Sequence, residues 1–220
     1  LKIRERTVYV AVSSLFNDTA TTEIYTLPLH VALAILLEHA EKEYDEHVWL
    51  SLKNAETLCS AITDALEEID PANKDAYAAN AASYLEKLAA LDGEYQTVAD
   101  NAARKTVLFG DRFPFRYLVD DYGLSYYAAF AGCSAETEAS FETISFLAGK
   151  VDELRLPCVL TIEGAQHKVA ETIVQNTAEK NQSILTLDSM QSTTSTDVAN
   201  GTTYLSVMES NLDVLKQALN

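Results

Sequence analysis

Basic residues are scarce in this 220-residue chain: 16 Lys and Arg stand against 33 Asp and Glu, a formal net charge of −17. No Lys/Arg cluster is available to neutralise phosphates, which excludes a nucleic-acid partner. Cysteine is equally sparse. Cys59, Cys133 and Cys158 form no CxxC pair and no zinc-ribbon spacing. They allow one disulfide with a free thiol, or three buried reduced thiols, and so leave the redox compartment open. Residues 27–37, LPLHVALAILL, form an apolar run far short of the roughly 20 residues a membrane-spanning helix needs. No basic start, apolar middle and small-residue cleavage site marks a signal peptide, so the chain as written carries no address. GxSxG, HExxH, Walker and GxGxxG motifs are all missing. Cys133 stands beside Ser134 with no positioned base, which leaves a thiol nucleophile unsupported. No internal repeat is visible, and the one low-complexity stretch is 191–196.

What is present belongs to a globular protein: 48% apolar and 22% charged residues, with length for one large domain or two small lobes. The acidic balance suits a protein that handles cations. Residues 1–14 open with mixed charges and then alternate like a short strand. Residues 16–33 resemble the peptide produced when a common sequencing adapter is translated in an open frame; the other reading is a Thr-rich loop leading into a short apolar helix. On the first reading 1–37 is a non-native segment, and it is set aside from functional argument.

From Glu38 the character changes. An acidic loop, 38–46, contains His39 and leads into Asp45-Glu46-His47-Val48-Trp49-Leu50-Ser51. Residues 54–69 read as an amphipathic helix with Ala55, Leu58, Cys59, Ile62, Leu66 and Ile69 on one face. Asp70-Pro71 ends it, because proline biases its predecessor out of the helical region. Residues 72–101 give the longest helical pattern, about 40 Å if continuous. Strands are then expected at 106–109, 125–130, 158–162 and 183–187, and helices at 112–122, 141–154, 167–180 and 202–219. The regular alternation predicts an α/β fold: one complete lobe, 104–220, with a mostly parallel four-stranded sheet flanked by helices. A spine helix, 71–103, would join it to a remnant of a first lobe, 38–70.

Ligands of such a sheet bind beyond the carboxyl ends of its strands. That rule selects Asp111 after the first expected strand, Glu163 after the third and Asp188 after the fourth. With His47 upstream they make an N/O donor set for a metal. Each has an ordinary alternative: His47 as a surface histidine ahead of a helix, the carboxylates as helix caps. His167 reads as a polar residue opening a helix.

Together these features resemble the metal-binding receptor proteins of bacterial zinc and manganese ABC importers, over residues 38–220. That family carries an Asp-Pro-His-(Ala/Val)-Trp-Leu-Ser motif whose histidine binds metal; Asp45 to Ser51 match it, with Glu46 in place of proline. The long linking helix matches 72–101. The terminal pattern matches Gly201-Thr202-Thr203-Tyr204-Leu205-Ser206-Val207-Met208 with Asn211-Leu212, and the last metal-binding carboxylate falls on Asp188. The resemblance implies a non-enzymatic, monomeric, extracytoplasmic receptor that captures Zn2+, or Mn2+, and delivers it to the importer's permease. The expected metal ligands are His47 and Asp188. The family's third ligand, a His or Glu, falls on Arg112, which has no lone pair to donate. Asp111 takes its place, or Glu163 does, or water completes a site with fewer protein ligands. The family's first histidine ligand would lie upstream of His47, where the adapter-like segment stands, so a truncated chain is expected. Two rivals follow: a fragment that binds nothing, and a metal-dependent hydrolase, which would need an open coordination position and a base beside it.

Overall fold

The computed structural model describes residues 45–131, 138–164 and 167–220. Expectations for 1–37, the 38–44 part of the acidic loop with His39, and Cys133 lie outside them.

After a short 3-10 turn at Val48–Leu50, helix α1 spans Leu52–Ile69. Ser51 starts it: its Oγ accepts from the Asn54 amide at 3.0 Å and donates to Asp121 Oδ2 at 2.6 Å, which satisfies one of the first-turn donors. A 3-10 turn at Pro71–Asn73 reverses the chain into α2, Lys74–Asn101. The expected break at Asp70-Pro71 and the long helix after it are both present. Down α2 burial rises toward the C-terminus, where Leu88, Leu91, Tyr95 and Ala99 are buried. The Tyr95 hydroxyl donates to the Met208 carbonyl at 2.7 Å, and its ring stacks on Tyr122, whose hydroxyl donates to Asp92 Oδ1. Burial pushes both phenols far above their ordinary pKa.

The α/β part follows as β1 Thr106–Phe113, α3 Arg116–Asp121, β2 Ser125–Ala131, α4 Phe141–Leu154, β3 Cys158–Thr161, α5 Lys168–Asn176, β4 Ser183–Thr186, α6 Ser195–Ala199 and α7 Tyr204–Leu219. Four parallel strands lie in the order β2-β1-β3-β4. Both sheet faces are covered, and the strands alternate between them. Val107, Phe109, Cys158 and Leu160 enter the core with α2 and α7, while Leu108 and Val159 enter a second core with α4 and α5. Cys59 and Cys158 are free thiols; burial pushes the Cys158 thiol up to about 12.

Three expectations change. The first strand does not stop at Phe109. It passes an irregularity between Phe109 and Arg112 and goes on to Phe113, so Asp111 and Arg112 sit within β1 rather than in a turn after it. Pro114 then holds Phe113 extended, and the helix begins only at Arg116. The helix expected over 167–180 ends at Asn176, because Thr177 turns the chain, its Oγ1 donating to Val174 O and accepting from the Lys180 amide. The Ser/Thr-rich loop contains α6, started by a capping box between Thr194 and Asp197.

The expected apolar face of α1 exists but is not core. Leu58, Ile62, Leu66 and Ile69 are exposed, and together with Tyr77 and Tyr84 of α2 the first three line an open apolar groove of about 530 Å³.

Candidate metal centre

His47 is 1% exposed, which removes the surface-histidine alternative. Its Nδ1 lies 2.6 Å from Asp45 Oδ1, and the same oxygen accepts from the His47 amide at 2.9 Å. An ionised carboxylate only accepts, so the Nδ1 position carries the proton; in a neutral imidazole this puts the lone pair on Nε2, the arrangement typical of metal-binding histidines. The motif is tied to the lobe on both flanks. On one side the Tyr117 hydroxyl donates to Asp45 O at 2.9 Å. On the other, Trp49 Nε1 donates to Ser189 O at 3.0 Å and Tyr204 donates to Trp49 O at 2.8 Å.

Asp188 follows β4 at the carboxyl end of the sheet. Its amide donates to Asn211 Oδ1 and its carbonyl accepts from Asn211 Nδ2, both at 2.8 Å, while Oδ1 accepts from the Met190 amide. Burial raises the Asp188 carboxyl above the ordinary carboxylate pKa; the Met190 amide opposes this, and the charges of Glu163 and Asp197 add to it. Asn211 is 1% exposed and belongs to the terminal pattern, so sequence could have offered it as a support residue.

Both carboxylate oxygens of Glu163 accept from the turn after Asp188. Oε1 accepts from Ser189 Oγ, the Gln191 amide and the Ser192 amide at 2.8, 3.0 and 3.2 Å, and Oε2 accepts from the Ser189 amide at 2.7 Å. Asp111 accepts from the Arg112 amide at 2.8 Å and from the Ile162 amide at 3.4 Å, with Arg112 Nε 3.8 Å from its Oδ1. His167 caps α5 in position but makes no side-chain cap bond, and its Nδ1 is buried without a hydrogen-bond partner among the described residues.

Among the described residues, Asp45, Glu46 and His47 are the one group of three or more potential ligands whose donor atoms lie within 4.8 Å of one another. His47, Asp111, Glu163 and Asp188 do not form such a group. His47 and Asp188 are instead linked through Trp49 and Ser189.

A family model described as "Zinc-uptake complex component A periplasmic", ZnuA, matches residues 8–218. The chain belongs to the ZnuA family. The match includes the adapter-like stretch, which lies outside the described residues. The zinc-binding lipoprotein AdcA of Streptococcus pneumoniae is 34% identical over 184 residues, 82% of this chain and 36% of that protein. The high-affinity zinc uptake system protein ZnuA of Bacillus subtilis is 32% identical over 175 residues, 80% of this chain and 53% of that protein. The chain thus spans about a third to a half of these relatives. The Zn(II)-bound ZnuA-like domain of S. pneumoniae AdcA superposes with a TM-score of 0.66 at 33% identity, covering 82% of this chain and 66% of that one. The ZnuA family is one of solute-binding receptors, not enzymes. No helix among the described residues is long and apolar enough to cross a membrane.

Proposed function

We propose that this chain captures zinc as the extracytoplasmic receptor of an ABC importer and passes the ion to the importer's permease in the membrane. The main support is the 3.0 Å hydrogen bond from Trp49 to Ser189, which ties the His47 motif to the Asp188 turn across 140 positions of sequence. His47 Nε2 supplies the nitrogen and Asp188 a carboxylate oxygen. Asp111 supplies a third donor in place of the family histidine or glutamate, with Arg112 as its counter-charge, and water completes a four-coordinate ion. A site with an imidazole favours zinc over magnesium or calcium; manganese is the competing cargo. The names of the relatives, a zinc-binding lipoprotein and a zinc uptake protein, support zinc. The mechanism is ligation without chemistry: protein donors replace water around the ion.

The domain organisation belongs to the same proposal: 38–70 as part of a first lobe, 71–103 as the linking helix, 104–220 as the second lobe of a monomer. The exposed apolar face of α1 supports it, because such a face is the kind of surface a first lobe would cover.

A second reading, that the chain as it stands holds no zinc, is favoured by one observation: His47, Asp111 and Asp188 do not already form a tight donor cluster. Competition titration with zinc separates the two. One ion bound per chain, lost in His47→Ala and in Asp188→Ala, supports the receptor. No binding by the wild type, with binding gained on fusing a complete first lobe from a relative, supports the second reading.

A further inference from the structure

We propose that Glu163 is a positioning residue for the metal site and not one of its ligands, an inference that rests on the zinc-receptor reading. A carboxylate offers about four lone-pair directions. Glu163 accepts from four donors of a single turn: the amides of Ser189, Gln191 and Ser192 and the Ser189 hydroxyl. Successive backbone amides folded around one anion make a nest, and here the anion is the protein's own. Three of these bonds fall on Oε1 and one on Oε2, so both carboxylate oxygens are committed to the turn. The turn it holds begins at Asp188 and gives the Ser189 carbonyl to the Trp49 indole, two residues from His47. On the opposite side Asn211 grips the Asp188 backbone at both polar groups. Glu163 therefore sets where the Asp188 carboxylate points and keeps Trp49 beside it, so it couples both proposed ligands without touching the ion.

Glu163→Gln in the full chain tests this, because the amide keeps the side-chain shape but turns N–H groups toward a turn that supplies only donors. Trp49, the single tryptophan, reports on the turn by fluorescence, and cobalt(II) reports on the site by its visible absorption. The expected result is altered Trp49 emission and acrylamide quenching in the metal-free variant, shifted cobalt bands, and a zinc Kd raised about 10- to 100-fold. Unchanged Trp49 emission with lost zinc affinity would make Glu163 a ligand. A lower melting temperature with emission, cobalt spectrum and zinc affinity all unchanged would reduce it to a structural residue. Both outcomes overturn the proposal. If Glu163→Gln fails to fold, Ser189→Ala removes one of the four bonds and should move the same two spectra in the same direction by less; no movement in either overturns it. If the wild type binds neither zinc nor cobalt, the receptor reading fails, and the metal-free Trp49 response alone decides whether Glu163 holds the turn.

Discussion

Asn211 holds Asp188 at both of its backbone groups, accepting from the amide and donating to the carbonyl at 2.8 Å each. The pairing reproduces what a neighbouring strand would supply, at the point where β4 has ended. Asn211→Ala removes both partners at once from a part-buried site. Leaving a buried donor or acceptor unsatisfied costs about 1–3 kcal/mol each, so this variant should lose roughly 2–4 kcal/mol in urea unfolding. It should also bind zinc more weakly at temperatures where it remains folded.

Trp49→Phe keeps an aromatic body and deletes one donor. The Ser189 residue that accepts from it is completely buried, so its carbonyl would be orphaned at a cost of about 1–3 kcal/mol. Unfolding followed by far-UV circular dichroism measures the loss. A variant within 0.5 kcal/mol of the wild type, roughly the scatter of neutral substitutions, would mean that this bond does not hold the motif to the lobe.

The sheet and the long helix α2 were legible in the sequence because each depends on a local period: apolar runs of strand length alternating with helical patterns, and an uninterrupted helical repeat through Leu88, Leu91 and Tyr95. His47 drew attention through its motif and Asp188 through its place after a strand; the structure buries the first and puts the second just past the end of β4. The end of β1 was misread because the Gly110-Asp111-Arg112 polar step looks like a turn; the stop comes from Pro114. What covers the apolar face of α1 could not be read, for another reason. Amphipathic spacing says which face is apolar, not what covers it, and Leu58, Ile62, Leu66 and Ile69 find no such cover among the described residues. The engagement of Glu163 could not be read at all, because its four donors come from a turn 26–29 positions away.

At Gly110, β1 lies close against Ala170 of α5. A Cβ placed on it would lie 2.5 Å from Ala170 Cα and 2.9 Å from its backbone nitrogen. Gly110→Ala should therefore cost about 1–3 kcal/mol or more by overpacking, measured by thermal or urea unfolding. The obstacle is backbone, so adding Ala170→Gly should not rescue it. Full recovery in the double variant would show that only the Ala170 methyl was in the way.

Asp188 gives zinc capture a pH dependence with a definite sign. Its carboxyl pKa is raised, first by burial, whereas zinc takes only the carboxylate, so a proton and the ion compete for the same oxygen. Affinity should fall as pH drops below the raised value, starting at a higher pH than an ordinary aspartate would set. In the metal-free protein the sign is opposite. A group that holds its proton more tightly folded than unfolded contributes stability that is fully present below its unfolded pKa and is lost as pH rises through its folded pKa. Metal-free thermal melts in that acidic window should thus show a destabilising component on raising pH that is present in the wild type and absent in Asp188→Asn. Zinc-saturated melts should show the wild type gaining stability over the same rise. Identical pH slopes for the wild type and Asp188→Asn without metal would show that burial does not hold the proton on Asp188.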